Sequence, residues 1–215
     1  PLPTDAEARL LDLGREAFAV VLDRPGIWAF WWPRFERIAR WFVAAERARR
    51  AGIAASVTEA KGRIEIAGPA GPFVVSAIAD RIDRDATGRL VILDYKTGAP
   101  PTADEVAAGF APQLPLEALI AEEGGFQNVP AGAVARLEYW RLKGSDPAGE
   151  IRKLALDPAR LVAEARAGLA HLIATFDDPS TPYEARPRPD RAPRFSDYEH
   201  LARIKEWAAG EGGES

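Results

Sequence analysis

Residues 90–98 read LVILDYKTG, four apolar side chains running into an aspartate, a tyrosine and a lysine. Side chains alternate across a strand, so Asp94 and Lys96 share one face and Leu93 and Tyr95 the other. On the preceding strand, FVVSAIADRIDRD, the same rule sets Ile78, Asp80 and Ile82 on one face and Asp83 opposite. The short turn Asp85-Ala86-Thr87-Gly88 makes the two strands antiparallel neighbours, and centring it brings Asp80 to about the level of Asp94. Two carboxylates converging at a partly buried place repel, and desolvation adds to the cost of keeping both ionised. A divalent cation removes that cost, and oxygen-only ligation suits Mg²⁺ or Mn²⁺. Lys96 beside it would hold a water, help deprotonate it, or neutralise charge developing on a phosphate. These are the parts of metal-assisted phosphodiester hydrolysis. A same-face ion pair on an edge strand is the plainer alternative; the apolar run ahead of Asp94 and the second acid across the hairpin weigh against it.

The elements that must position these residues follow from periodicity. The first 50 residues predict two helices. Asp5 is placed to cap the first, with Leu10, Leu11, Leu13, Phe18 and Leu22 as its apolar stripe. After Pro25-Gly26 the second runs through FWWPRFERIARWFVAAERARR, with Pro33 in its first turn and Phe35, Ile38, Phe42 and Ala45 at helical spacing. Its arginines, Arg34, Arg37, Arg40, Arg47, Arg49 and Arg50, form a solvated face or a phosphate track beside exposed Trp28, Trp31 and Trp32. SVTEAKGRIEIA predicts a strand pair or one long strand. A helix fits 103–123, between Pro100-Pro101 and Gly124-Gly125. AVARLEYWRLKG alternates as a fourth strand, with Tyr139, Trp140 and Tyr95 as core aromatics. A helix at 158–176 starts near Asp157-Pro158, a Pro/Arg-rich stretch covers 181–194, and a last helix covers about 197–209. The fold class is α/β (α+β), a central mixed sheet of about four or five strands flanked by helices. The whole of 1–215 reads as one domain: a helical lead-in (1–50), a core (56–145) and a C-terminal part (157–215).

Composition narrows the function classes. The 215 residues are 47% hydrophobic and 28% charged with net charge -4, so nucleic-acid affinity must come from local patches. No cysteine is present, which excludes disulfides and a cysteine-ligated iron–sulfur cluster. No apolar run reaches membrane-spanning length and no secretion signal opens the chain. The absence of methionine and the start at Pro1 suggest a processed product or, in preference, a fragment of a larger protein. LDYKTG lacks the glycines of a phosphate-cradling loop, so no nucleotide-driven motor is expected in this segment. The two histidines, His171 and His200, sit in no spacing that suggests catalysis.

ADRIDR (79–84) and ILDYKTG (92–98) resemble motifs II and III of the PD-(D/E)XK nuclease superfamily. The nearer likeness is to its RecB-like branch, in which G-x-x-D-R-x-D precedes a strand ending D-Y-K-T-G. FAPQLPLEALI resembles that branch's glutamine motif, with Gln113 as the glutamine and Glu117 where an aromatic is usual. The last strand and Tyr198–Trp207 add a looser likeness to the C-terminal nuclease domains of AddB-type subunits, in their alphaproteobacterial form. The resemblance implies a restriction-endonuclease-like core and a Mg²⁺- (or Mn²⁺-) dependent exodeoxyribonuclease acting in double-strand break repair and recombination. Asp80 and Asp94 resemble the metal-binding acids, Lys96 the catalytic lysine, and Gln113 the residue that positions the lysine or the nucleic-acid end. The Tyr95 backbone carbonyl resembles a further metal ligand, and Glu59 an acid on the first core strand. Arg34, Arg37, Arg81, Arg84 and Thr97 are the candidate DNA contacts, with Arg186, Arg188, Arg191 and Arg194 as a second basic segment. DNA, as linear ends or single strands, and an AddA-like helicase–nuclease subunit are the implied partners, in the bacterial cytoplasm at the nucleoid. Relatives that carry a metal-ligating histidine hold it upstream of the first strand, where this chain has none. An inactive nuclease fold used for DNA binding or subunit docking, or a nuclease of a CRISPR or phage system, are the alternatives.

Overall fold

The strand that ends in Asp94 and Lys96, β3 (Leu90–Lys96), is the middle of a five-stranded sheet. The sheet order is β1 (Ile53–Gly68), β2 (Gly71–Asp85), β3, β4 (Val134–Leu142) and β5 (Gly149–Lys153). β3 runs parallel to β4, and every other neighbouring pair is antiparallel. The computed structural model describes residues 2–19, 25–184, 188 and 201. Leu22, His200, the helix expected at 197–209 and the arginines at 186, 191 and 194 lie outside them. Two compact units divide the chain, Pro1–Ala174 and Thr175–Ser215. In the second, Phe176 stacks on Tyr183 at 4.9 Å and Asp178 caps the turn at Ser180.

Both faces of β3 are covered, which is why its sequence is an unbroken apolar run. Leu90 and Ile92 enter a large apolar cluster with Leu114, Ala118, Ala121 and Leu137. Val91 and Leu93 join Trp140, Trp41, Phe42 and Ala45 in a smaller cluster on the other face. The first cover is α4 (Gln113–Glu122); the second is α2 (Pro25–Arg49). Each fully buried Leu or Ile contributes about 1.5–3 kcal/mol, so β3 is anchored from both sides and its end cannot drift.

The turn before β3 is held as its composition predicts. Asp85 Oδ1 accepts from the backbone N–H groups of Thr87 and Arg89, and Gly88 takes φ +86°. The Thr87 hydroxyl, donating to the same oxygen at 2.6 Å, and then those backbone bonds hold the Asp85 carboxyl down at about 2. After β3, Thr102 and Glu105 form a reciprocal capping box that starts α3 (Ala103–Ala107). The single helix expected over 103–123 is therefore two. Gly109 at φ +77° ends the first, and the second starts after Pro112, which has no N–H to continue a helix. At α5 (Pro158–Phe176) the expected cap forms, Asp157 Oδ1 accepting from Ala159 N–H at 3.2 Å.

Other expectations change. α1 (Ala6–Phe18) is not capped by the Asp5 side chain, which accepts from Arg9 instead, and Leu13 is exposed. Pro33 lies inside α2, because the helix already begins at Pro25. Of the three tryptophans, Trp31 is exposed, Trp28 half-buried and Trp32 buried against it at 4.5 Å. β5 was not expected as a strand, since GEIRK carries one large apolar residue. Among the described residues no helix is long and apolar enough to cross a membrane.

Strict alternation also fails on β2. Ala79 and Ile82 lie in the same apolar cluster, although alternation sets them on opposite faces, and Ile78 is exposed. The phase changes at Asp80, which lies across from Glu59 between the rungs Thr58–Arg81 and Ala60–Ala79. Glu59 takes φ +49°, outside the extended region, so the two-stranded ribbon turns a new face there.

Candidate active site

Asp80 and Asp94 meet where the β2–β3 ladder stops. Its last rung is Arg81–Leu93, so the next positions are Asp80 and Asp94. The following donor, the N–H of Tyr95, goes to Asp80 Oδ2 at 2.8 Å. In an extended strand a residue's N–H and C=O point to the same side, so the Tyr95 carbonyl also faces β2.

Asp94 is 2% exposed. Its Oδ1 accepts from Lys96 Nζ at 3.0 Å and from Gln113 Nε2 at 2.7 Å. The Lys96 ammonium also lies 2.8 Å from Oδ2, an oxygen that accepts no well-directed hydrogen bond. Gln113 closes the group, its Oε1 accepting from Lys96 Nζ at 3.1 Å. Burial pushes the Asp94 carboxyl above its usual range, the bonds and charge of Lys96 oppose that, and the nearby Asp80 charge adds to it.

Glu117 was missed as a site residue. One turn beyond Gln113 on α4 and 2% exposed, it accepts from Gln113 Nε2 at 3.1 Å. Burial first, then the charges of Asp94 and Asp80, push its carboxyl up to about 7. The available signal was its spacing: Gln113 and Glu117 are i and i+4, the lone acid among Leu and Ala on that face. Tyr139, level with Asp94 on β4, has a buried hydroxyl without a hydrogen-bond partner. Burial, then the charges of Asp94, Glu117 and Glu105, raise it to about 12.

The expected DNA contacts separate. Arg81 is buried on the opposite face of the sheet, bonded to Glu46 Oε1 and Asp83 Oδ1 at 2.7 Å each. Its guanidinium holds α2 to the sheet and is not offered to a phosphate. Arg34 and Arg37 donate to the carbonyls of Lys143 and Gly144, tying α2 to the β4–β5 loop. Arg84 lies at the far end of β2, lining a cavity of about 160 Å³ with Val57, Leu90 and Val129. Thr97 is exposed directly after Lys96, and Arg188 is exposed. His171 is exposed on α5.

A profile of the PD-(D/E)XK nuclease superfamily matches residues 2–193. The chain belongs to this superfamily. Its mixed five-stranded sheet flanked by helices is consistent with the restriction-endonuclease-like fold of PD-(D/E)XK proteins. The chain is similar to an uncharacterized protein, RT0391, of Rickettsia typhi, at 32% identity over 124 residues, 57% of this chain and 14% of that protein. It is also similar to an uncharacterized protein of Rickettsia bellii, at 29% over 122 residues, 57% and 15%. This PD-(D/E)XK segment thus spans about a seventh of those curated relatives. Among solved structures, SSO0001 overlaps it with TM-score 0.34 at 15% identity, over 60% of this chain and 55% of that one.

PD-(D/E)XK nucleases typically use Mg²⁺ or Mn²⁺, and the donor set here fits such an ion. Asp80, Asp94 with its unsatisfied Oδ2, and the Tyr95 carbonyl are hard oxygen donors around one strand end. Mg²⁺ is commonly held by one or two carboxylates, with water and phosphate supplying the rest. Among the described residues no group of three or more His, Cys, Asp or Glu is arranged to hold a metal ion. Glu59 is level with Asp80 without completing such a group.

Proposed function

We propose that this domain hydrolyses DNA phosphodiesters in a Mg²⁺- or Mn²⁺-dependent exonuclease reaction. The observation that carries the reading is Asp94, a buried carboxylate that bonds both Lys96 and Gln113 with Asp80 across the hairpin. Asp80, Asp94 and the Tyr95 carbonyl would hold the cation, which when bound polarises a phosphate oxygen and acidifies a water. Lys96 stands at the rim, its side chain 31% exposed, so its ammonium reaches solvent while its other contacts fix it. There it neutralises charge that develops on the phosphate or orients the attacking water. Gln113 sets where that ammonium sits. Attack at phosphorus with loss of the 3′-oxygen leaves a 5′-phosphate. In the cell the substrate would be DNA ends in break repair and recombination, with an AddA-like subunit as partner in an AddAB-type enzyme at the nucleoid. The sequence motifs support that placement.

Cleavage of end-labelled linear DNA with Mg²⁺ or Mn²⁺ tests the reading. Asp94→Asn and Lys96→Ala are each expected to lower the rate by at least about 100-fold. Cleavage undiminished in both variants would sink it. The pairing of only two carboxylates favours a second reading, a nuclease fold kept for DNA binding or subunit docking. Calorimetric titration with Mn²⁺ separates them: a docking module shows no binding that Asp80→Ala removes.

A further inference from the structure

We propose that Glu117 is a positioning residue, holding the Gln113 carboxamide so that its oxygen faces Lys96 and its nitrogen faces Asp94. The proposal rests on the nuclease reading and adds to it a residue that touches no substrate. A glutamine amide has one acceptor and two donors, and here all three are used. Lys96 Nζ donates to Oε1, and Nε2 donates to Asp94 Oδ1 and Glu117 Oε1. Gln113 itself is an exposed residue in the first turn of α4, so its side chain has solvent to swing into. The Glu117 carboxylate is the one anchor behind it on its own helix. Without that anchor one N–H loses its partner, and only the contacts with Lys96 and Asp94 are left to hold the amide in place.

The burial of Glu117 points the same way. Carboxylates are almost never fully buried unless paired. Glu117 lies among Leu114, Ala118 and Ala121 on the covered side of α4, within the field of Asp94 and Asp80, and its Oε2 has no hydrogen-bond partner. Such a group weakens the fold, and an apolar side chain of similar size would strengthen it. Structural and positioning roles therefore predict opposite stability changes.

The test compares Glu117→Leu, Glu117→Gln and Gln113→Ala by thermal melting, by kcat and KM on linear DNA, and by NMR of the Gln113 side-chain amide. For Glu117→Leu the expectation is an unchanged or higher melting temperature, unchanged KM, and kcat lowered about 10- to 100-fold. Glu117→Gln, whose carboxamide oxygen still accepts, recovers most of that loss. The double variant Gln113→Ala/Glu117→Leu falls no further than Gln113→Ala alone, as expected for residues acting as a unit. Wild-type kcat in Glu117→Leu, or additive losses in the double variant, overturns the proposal. If the wild-type protein cleaves nothing with any divalent cation, the nuclease reading fails and the NMR decides this one alone. A Gln113 side-chain amide proton shifted downfield and protected from exchange with water, which persists in Glu117→Gln and returns to the free-amide position in Glu117→Leu, supports it; no change in Glu117→Leu overturns it.

Discussion

Asp94 and Glu117 are two buried carboxyls on one side of the sheet, both shifted upward chiefly by desolvation, and their effect on stability has a definite sign. A carboxyl whose folded value lies above its unfolded one binds more protons in the native state. Its stabilising contribution is complete below the unfolded value and is lost as pH rises through the folded value. For Glu117 that window runs from 4.5 to about 7 and is worth about 3 kcal/mol at most. Urea denaturation across this range, without divalent ions, is expected to show stability falling as pH rises, with a shallower fall in Glu117→Leu. A flat profile in the wild type would contradict the burial. Asp80, Asp94, Lys96 and Gln113 were legible in the sequence because strand alternation and turn length place the first three, and a motif places the fourth. Glu117 was not, because one acid on an apolar helix face reads as a mismatch until the helix is seen lying over Asp94.

Between elements, an ionic network helps to seat α2 on the sheet. Arg81 bonds Glu46 and Asp83, and Arg49 lies 2.8 Å from Asp83 and over the ring of Trp140. Trp140 in turn donates to Glu138. Arg81→Ala removes the nearest partner of both acids, leaving Arg50 at 3.5 Å from Glu46 and Arg49 at 2.8 Å from Asp83, and is expected to cost about 1–3 kcal/mol. The double variant Glu46→Leu/Arg81→Met is expected to recover most of that loss, which denaturant titration of the three proteins would measure. In the sequence Arg81 looks like a phosphate contact; its partner Glu46 lies next to Arg47 on a helix whose arginines read as a solvated face or a phosphate track. The break in the crossover was signalled by Gly109 and Pro112, yet the apolar spacing on both sides continued and masked it. β5 was hidden for a simpler reason: an edge strand of five residues with Ile151 half in solvent has almost no pattern to read.

For the whole molecule, the fold class followed from a strand hairpin, a helical segment and a further strand with helices to flank them, and the structure makes that further strand parallel to β3. A cation that binds only the folded state stabilises it by about 2.7 kcal/mol at 100 times its dissociation constant. Melting temperature is therefore expected to rise with added MgCl₂ and to stop responding in Asp80→Ala. Equal shifts in both proteins would place the ion elsewhere. Asp80, Asp94, Lys96, Gln113 and Glu117 all come from one stretch of chain, joined by a tight turn and a single crossover. Glu46, by contrast, must find Arg81 across 35 positions, against 15 to 19 for the contacts that join Asp80, Asp94, Lys96 and Gln113. Short loops close at lower entropic cost than long ones. Refolding is therefore expected to order the hairpin and α4 first and to seat α2 last, so pulsed hydrogen exchange should find β3 amides protected before those of α2.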